Sequence, residues 1–259
     1  MDVHDAVDAV EERLAAADQF LEDRGTDRVT AFVIGLVVTG LVARLVGLGA
    51  RTAHFDEGRV GYWALHLAES GEYYYYSVVH GPFLQFADAA VFSLFGANDF
   101  TLRVVVAVIG ALLPLPLLLL REHLRDGEIA AAAAFLAFNP VLLYYSRFYR
   151  STVPVVAFCF AAFACFVRYY DACGPGFLYA GTGFLALGFT AKENAAVYVI
   201  VWAGASGLLI IHEFLRPRTA PSGLAWVRGW WTRRVSAPVR EWWTRTVIEG
   251  NWRAALPGF

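Results

Sequence analysis

The chain has 259 residues, 58% of them apolar, with a mean hydropathy of +0.49 and a formal net charge of −2. Uncharged runs of this length exclude a soluble domain and read as an all-α, polytopic integral membrane protein. The charge is unevenly spread: residues 1–28 carry nine acids and three arginines, whereas residues 216–259 carry eight arginines and two glutamates. The two ends are therefore water-facing segments with different roles.

Along 2–24, Val3, Val7, Val10, Leu14, Ala17 and Leu21 recur at alternating spacings of four and three, and Gly25 follows. This predicts an amphipathic helix with an acidic outer face, either a solvated cytoplasmic helix or a seam for a partner. The first apolar run follows this acidic segment, which lacks a basic leader, so it is expected to be a retained anchor and not a cleaved signal. Apolar runs lie at 29–49, 83–97, 100–120, 128–146, 152–168, 176–191 and 195–214. The run at 83–97 is only 15 residues long and contains Gln85 and Asp88. A spanning helix needs about twenty residues, so this one is expected to lie in the interface.

If 83–97 does not cross, Arg121, Arg125, Arg168 and the basic tail share one face, which the positive-inside rule assigns to the cytoplasm. The expectation is about six transmembrane helices plus interfacial helices in the cell membrane, with both termini cytoplasmic. The domain reading is a cytoplasmic helix over 1–28, a transmembrane domain over 29–214 with an outer loop at 50–99, and a tail over 215–259. The tail repeats Trp-Trp-Thr-Arg at 230–233 and 242–245, and six of the eight tryptophans fall within 226–252. Trp interleaved with Arg suits an anionic headgroup layer, and nothing here forms a nucleic-acid-binding fold. Cys159, Cys165 and Cys173 have neither metal spacing nor the pattern of a disulfide framework.

The chemistry gathers in the outer loop. Asp56 and Glu57 are adjacent in 51-RTAHFDEGRVGYW-63. Neighbours on a helix point about 100° apart, so one can face a reacting group while the other orients it or binds a cation. Asp56 also stands where a helix N-cap would stand for 59–69. In 72-EYYYYSVVHGPF-83, the tyrosines fit an aromatic belt or a stacking surface for a sugar. His80 precedes Gly81-Pro82 and can reach a phosphate or an acceptor. Of 21 basic residues only Lys192, in 190-TAKEN-194, is a lysine. A lone lysine in an arginine-rich chain marks a place where a compact ammonium is preferred. Its neighbour Glu193 is the obvious ion-pair partner, although adjacent residues do not face each other on a helix. Arg44, about one turn from the outer end of the first run, either snorkels to the surface or meets a lipid phosphate.

These motifs together resemble the GT-C membrane glycosyltransferases, in the branch of protein O-mannosyltransferases and aminoarabinose transferases. The matching residues are Asp56-Glu57 with Tyr62, then Gly81-Pro82-Phe83, then Gly96 and Arg103, with 140-PVLLYYSRFYR-150 and 190-TAKE-193 as the second outer loop and a further segment. Within that superfamily the chain is most similar to archaeal proteins associated with flippase activity in N-glycosylation, over residues 29–214. The resemblance implies a sugar donor on polyprenyl or dolichyl phosphate and a glycan or protein acceptor. It implies Asp56 as catalytic base, Glu57 as an orienting or substrate-binding acid, and Arg147, Arg150 and Lys192 as holders of the phosphate, beside Arg44, His80 and Glu193. Two departures stand out. The family's second loop offers an Asp after its arginines, whereas Ser151-Thr152-Val153 follow Arg150 here, which leaves a divalent cation without an acid at that place. Family members also carry roughly twice as many spans. The expectation is therefore either the N-terminal half of such a protein, with a C-terminal half on another chain as a partner, or a reduced relative.

Two functional readings follow. One is an inverting glycosyltransferase that uses a lipid-phosphate-linked sugar. The other is a non-catalytic membrane protein that binds the lipid-linked sugar and assists its flipping. A transporter fits less well, because the charges gather at one face and not at mid-bilayer.

Overall fold

A computed structural model describes residues 27–76 and 79–215. The acidic helix expected over 1–28 lies outside the described residues except for its last two, and so does the tail from 216 onward. The described residues are helices and connections without a strand.

The first helix, α1 (Arg28–Leu45), starts where the Asp27 carboxylate accepts the Thr30 amide at 2.8 Å. That satisfies one of the free amides of the first turn. Only Val33, Gly40 and Arg44 are buried along it, and Phe32, Ile34, Val38 and Val42 face outward, as a lipid-facing helix requires. The loop at 50–99 holds α2 (Phe55–Ser70) and α3 (Pro82–Phe95). Gly71, at φ 73°, closes α2 in the left-handed conformation, and Pro82 opens α3. Then α4 (Thr101–Leu112) tightens into a 3₁₀ turn over Leu115–Leu120, where Pro114 and Pro116 remove backbone donors. The apolar run expected over 128–146 is broken: α5 (Asp126–Phe138) stops at Asn139, whose side chain caps α6 (Pro140–Tyr145). The helices α7 (Thr152–Ala172) and α8 (Pro175–Ala191) form a hairpin turned by Cys173 at φ 54°. Finally, α9 covers Ala195–Leu215. All three cysteines are free, two of them buried.

Among the described residues, three helices are long and apolar enough to cross a membrane: Arg28–Leu45, Thr101–Leu120 and Thr152–Ala172. α5 has 13 residues and α8 has 17, both short of the roughly twenty that span a bilayer. The chain divides into two compact units, through Ala196 and from Val197. Among the described residues of the second unit there is only the continuation of α9.

Within the first unit, α1 packs on α4 and α5, α2 packs on α3, and α3 packs on α4 and α8. Two apolar clusters hold these elements. One joins Val33, Leu117, Ile129, Ala133 and Ala164; the other joins Val60, Ala64, Leu84, Leu102, Val106 and Tyr149 beneath the outer loop. The loop departs from and returns to a single side chain. Arg103 Nη1 donates to the carbonyls of Leu48 (3.0 Å), Arg51 (2.8 Å) and Asp99 (3.2 Å). The loop therefore begins and ends at one guanidinium. At the other end of α1 and α4, Asp27 pairs with Arg121 at 2.6 Å. His123 pairs there with Asp171 at 3.0 Å, and Arg168 pairs with Glu122.

Candidate active site

The adjacent acids at the start of α2 meet opposite surroundings. The N-cap of α2 is His54, not Asp56: His54 Nδ1 accepts the Asp56 amide at 3.2 Å, and Glu57 Oε2 accepts the His54 amide at 2.9 Å. The reciprocal arrangement is a capping box built with Glu57, and it leaves the Asp56 carboxylate free for other work.

Glu57 is fully buried and saturated. Its Oε1 accepts Arg103 Nε at 2.8 Å and the Tyr149 amide at 2.9 Å. Its Oε2 accepts Arg103 Nη2 at 3.0 Å and Arg51 Nη2 at 2.9 Å. Burial alone would raise this carboxyl, but the Arg103 guanidinium and the two amides outweigh it and hold it at about 2. The Glu57 carboxylate therefore ties α2, α4 and the loop before α7 together.

Asp56 faces the other way, with a third of its side chain open to solvent. Its Oδ2 lies 3.5 Å from Arg150 Nη2 and its Oδ1 lies 3.7 Å from Arg59 Nη2. Arg150 connects this acid to a second group. His80 Nδ1 lies 3.1 Å from Glu193 Oε2, and the Tyr75 hydroxyl donates to Glu193 Oε1 at 2.5 Å. Lys192 lies close enough for its charge to act on His80, and Arg150 acts on both. Burial first, then neighbouring positive charge, lowers the proton affinity of His80 and of Lys192. The close approach depends on a glycine: a Cβ on Gly81 would lie 2.0 Å from the Thr190 carbonyl oxygen. His80 itself sits at φ 69°, an unusual conformation for a residue with a side chain.

Of the residues picked from sequence, the fold thus brings Asp56, His80, Arg150, Lys192 and Glu193 to one region. Arg147 stands nearby but donates to the Val46 carbonyl at 2.8 Å. Arg44 is fully buried between α1 and α5, with Nη1 on the carbonyls of Gly40 (3.0 Å) and Ala137 (2.9 Å). Sequence reasoning missed Arg51 and Arg59, although both flank the acid pair. It also missed the Tyr149 amide, which nothing short of the fold reveals. Beneath the site, Gln85, Asp88 and the Tyr149 hydroxyl are buried without hydrogen-bond partners. Asp88 adjoins Tyr149 outside hydrogen-bond geometry, and burial pushes its carboxyl up to about 8.

Neither Asp56 nor Glu193 is joined by another open acid: arginines flank the first, and His80 and Tyr75 hold the second. Among the described residues no three His, Cys, Asp or Glu side chains are placed to hold a metal ion.

No curated protein and no solved structure matches the chain significantly. A family model described as dolichyl-phosphate-mannose-protein mannosyltransferase matches residues 79–230, more than half of the sequence. The matched segment contains His80, Arg103, Arg147, Arg150, Lys192 and Glu193 and begins after Asp56. On the strength of that match the chain belongs to the dolichyl-phosphate-mannose-protein mannosyltransferase family.

Proposed function

We propose that the protein is a membrane glycosyltransferase that moves a sugar from a polyprenyl or dolichyl phosphate to an acceptor hydroxyl at the outer face, in protein glycosylation. Asp56 is the general base. It takes the acceptor's proton while the acceptor oxygen attacks the anomeric carbon and the bond from that carbon to the phosphate oxygen breaks, with inversion. Arg150 and Lys192 stabilise the negative charge left on the lipid phosphate. His80, oriented by Glu193, donates to a phosphate or sugar oxygen. Glu57 is a positioning residue that holds Asp56 on a rigid first turn.

The observation that carries this reading is the contrast between the acids: Glu57 is buried and saturated, whereas Asp56 is open and faces Arg150. The arrangement in the membrane is six spans with both termini cytoplasmic, the short helices α5 and α8 counted among the crossings, supported by Asp27, Arg121 and Arg168 gathering at one end of the helices. Within the family, the sequence resemblance over residues 29–214 favours the archaeal flippase-associated branch. The test is Asp56→Asn, which keeps size and removes the proton acceptor. Transfer measured on purified protein with a lipid-phosphate-linked sugar falls by about 10²–10⁴-fold while donor binding is retained. Undiminished transfer would overturn the assignment. A protein that binds and flips the lipid-linked sugar without transferring it would show donor binding in the wild type and no transfer to lose.

A further inference from the structure

The tyrosine segment of the outer loop folds back on α2 and forms an aromatic surface that the transfer chemistry does not use. Trp63 lies at its centre, with ring centroids 4.3 Å from Tyr76, 5.1 Å from Tyr62 and 5.9 Å from Tyr74. His66 adds a ring 5.6 Å from Tyr74. Trp63 rests on the core cluster beneath the loop, whereas Tyr62, Tyr74 and Tyr76 remain 58%, 43% and 45% exposed. A solvent-facing array of aromatic rings on a rigid base binds either the lipid headgroup layer or a flat apolar ligand face.

Charge decides between them. From Val60 to Val79 there is no Lys or Arg, and the charged residues are Glu69 and Glu72, both exposed; Arg59, just before this stretch, is turned to Asp56 and the Phe55 ring. Carboxylates at the rim repel an anionic headgroup layer. The 226–252 tail of the same chain has the opposite chemistry, with tryptophans among arginines. Rings flanked by carboxylates suit a neutral pyranose: its C–H face lies on the rings, and its hydroxyls donate to the acids. Glu72 already works as such an acceptor, taking the Tyr74 hydroxyl at 2.7 Å.

Position relates this surface to the acid. Trp63 follows Asp56 by seven residues, two helical turns, which returns it to the same side of α2 about 10 Å along the axis. The same segment reaches the charged group through Tyr75 and Glu193. We infer that the Tyr62–Trp63–Tyr76 surface is a saccharide subsite that holds a neutral sugar ring of a glycan-bearing acceptor. This deepens the transferase reading and rests on it for the direction in which the glycan is presented.

The full chain in phosphatidylcholine nanodiscs is tested by saturation-transfer NMR against methyl pyranosides of mannose, glucose and galactose. At least one shows transfer to its C–H protons. Removing exposed rings in Tyr62→Ala/Tyr76→Ala weakens that association about tenfold, with the thermal midpoint unchanged. Trp63→Phe, which keeps a ring, weakens it less. Asp56→Asn binds the saccharide normally, so loss of transfer and loss of this subsite are separable. Brominated phosphatidylcholine leaves unquenched the Trp63 share of the fluorescence, measured as wild type minus Trp63→Phe. Absence of saccharide contact, contact unchanged by ring removal, or strong bromine quenching of the Trp63 share would each overturn the inference, and the last would make the surface a membrane belt.

Discussion

Both ends of α1 and α4 join an acid to an arginine, yet the two ends differ in what they hold. At one end Asp27 and Arg121 meet through two contacts of 2.6 Å with half and about a third of their side chains in solvent. At the other, Glu57 and Arg103 meet at 2.8 and 3.0 Å with neither exposed. The distances alone would rank the exposed pair higher. Burial reverses the ranking, because water and ions compete for the first pair and are excluded from the second. The difference teaches where the structure is committed. The buried pair fixes the outer loop, and the exposed pair decorates the opposite end.

The comparison breaks most visibly at Arg103. Arg103→Ala leaves a buried carboxylate with its main partner gone and costs about 3–5 kcal/mol, read as a lowered thermal midpoint in detergent. The double substitution Glu57→Leu/Arg103→Leu recovers only part of that loss, because it removes the unpaired charge but leaves the His54 and Tyr149 amides and the Leu48, Arg51 and Asp99 carbonyls without their partners. A fall in the double variant as deep as in Arg103→Ala would mean that the pair is more than a tie.

Arg150 sharpens the same contrast on the open side. Arg150→Ala removes the cation facing Asp56 without emptying the core. Transfer falls by about 10²-fold and the thermal midpoint holds.

Asp88 supplies a pH test between these extremes. Its folded-state affinity for the proton is raised from 3.8 to about 8 by burial. Its contribution is therefore complete below about pH 4 and is lost as pH rises through about 8. The wild type becomes less stable to heat between pH 6 and pH 9, and Asp88→Asn flattens that slope. Glu57 has the opposite sign. Its affinity is lowered to about 2, so its stabilisation is present above its ordinary range near 4.5 and lost as pH falls toward 2.

The smallest effect belongs to the exposed end. Arg121→Gln costs at most about 1 kcal/mol, and salt reduces the difference from wild type.

Much of this was readable in the sequence because long apolar runs and Gly-Pro punctuation are local signals. The runs at 29–49, 152–168 and 176–191 became α1, α7 and α8 with ends shifted by a few residues. The run at 83–97 became the short helix α3. The break at Asn139-Pro140 and the 3₁₀ turn after Pro114 were visible as prolines but hidden by hydropathy, which counts apolarity and not backbone donors. The gathering of Asp56, His80, Arg150 and Lys192 followed from placing their loops on one face. What the sequence concealed was which acid of the pair is buried. Periodicity says that adjacent side chains diverge, but only the packing of α4 and the Tyr149 amide decides which points inward. The same holds for Gln85 and Asp88, whose polarity suggested a wet helix and whose side chains lie in the core. Arg44 was legible as a charge at membrane depth, but its Gly40 and Ala137 partners were not.

The central claim is that Asp56, and not Glu57, performs chemistry. The most direct measurement is single-turnover transfer from a lipid-phosphate-linked sugar by purified wild type, Asp56→Asn and Glu57→Gln, with the thermal midpoint of each recorded. The account predicts that Asp56→Asn keeps the wild-type midpoint and loses transfer by about 10²–10⁴-fold, whereas Glu57→Gln loses its midpoint and whatever activity depends on the fold. Wild-type transfer by Asp56→Asn, or a lowered midpoint in Asp56→Asn with an unchanged one in Glu57→Gln, would contradict it.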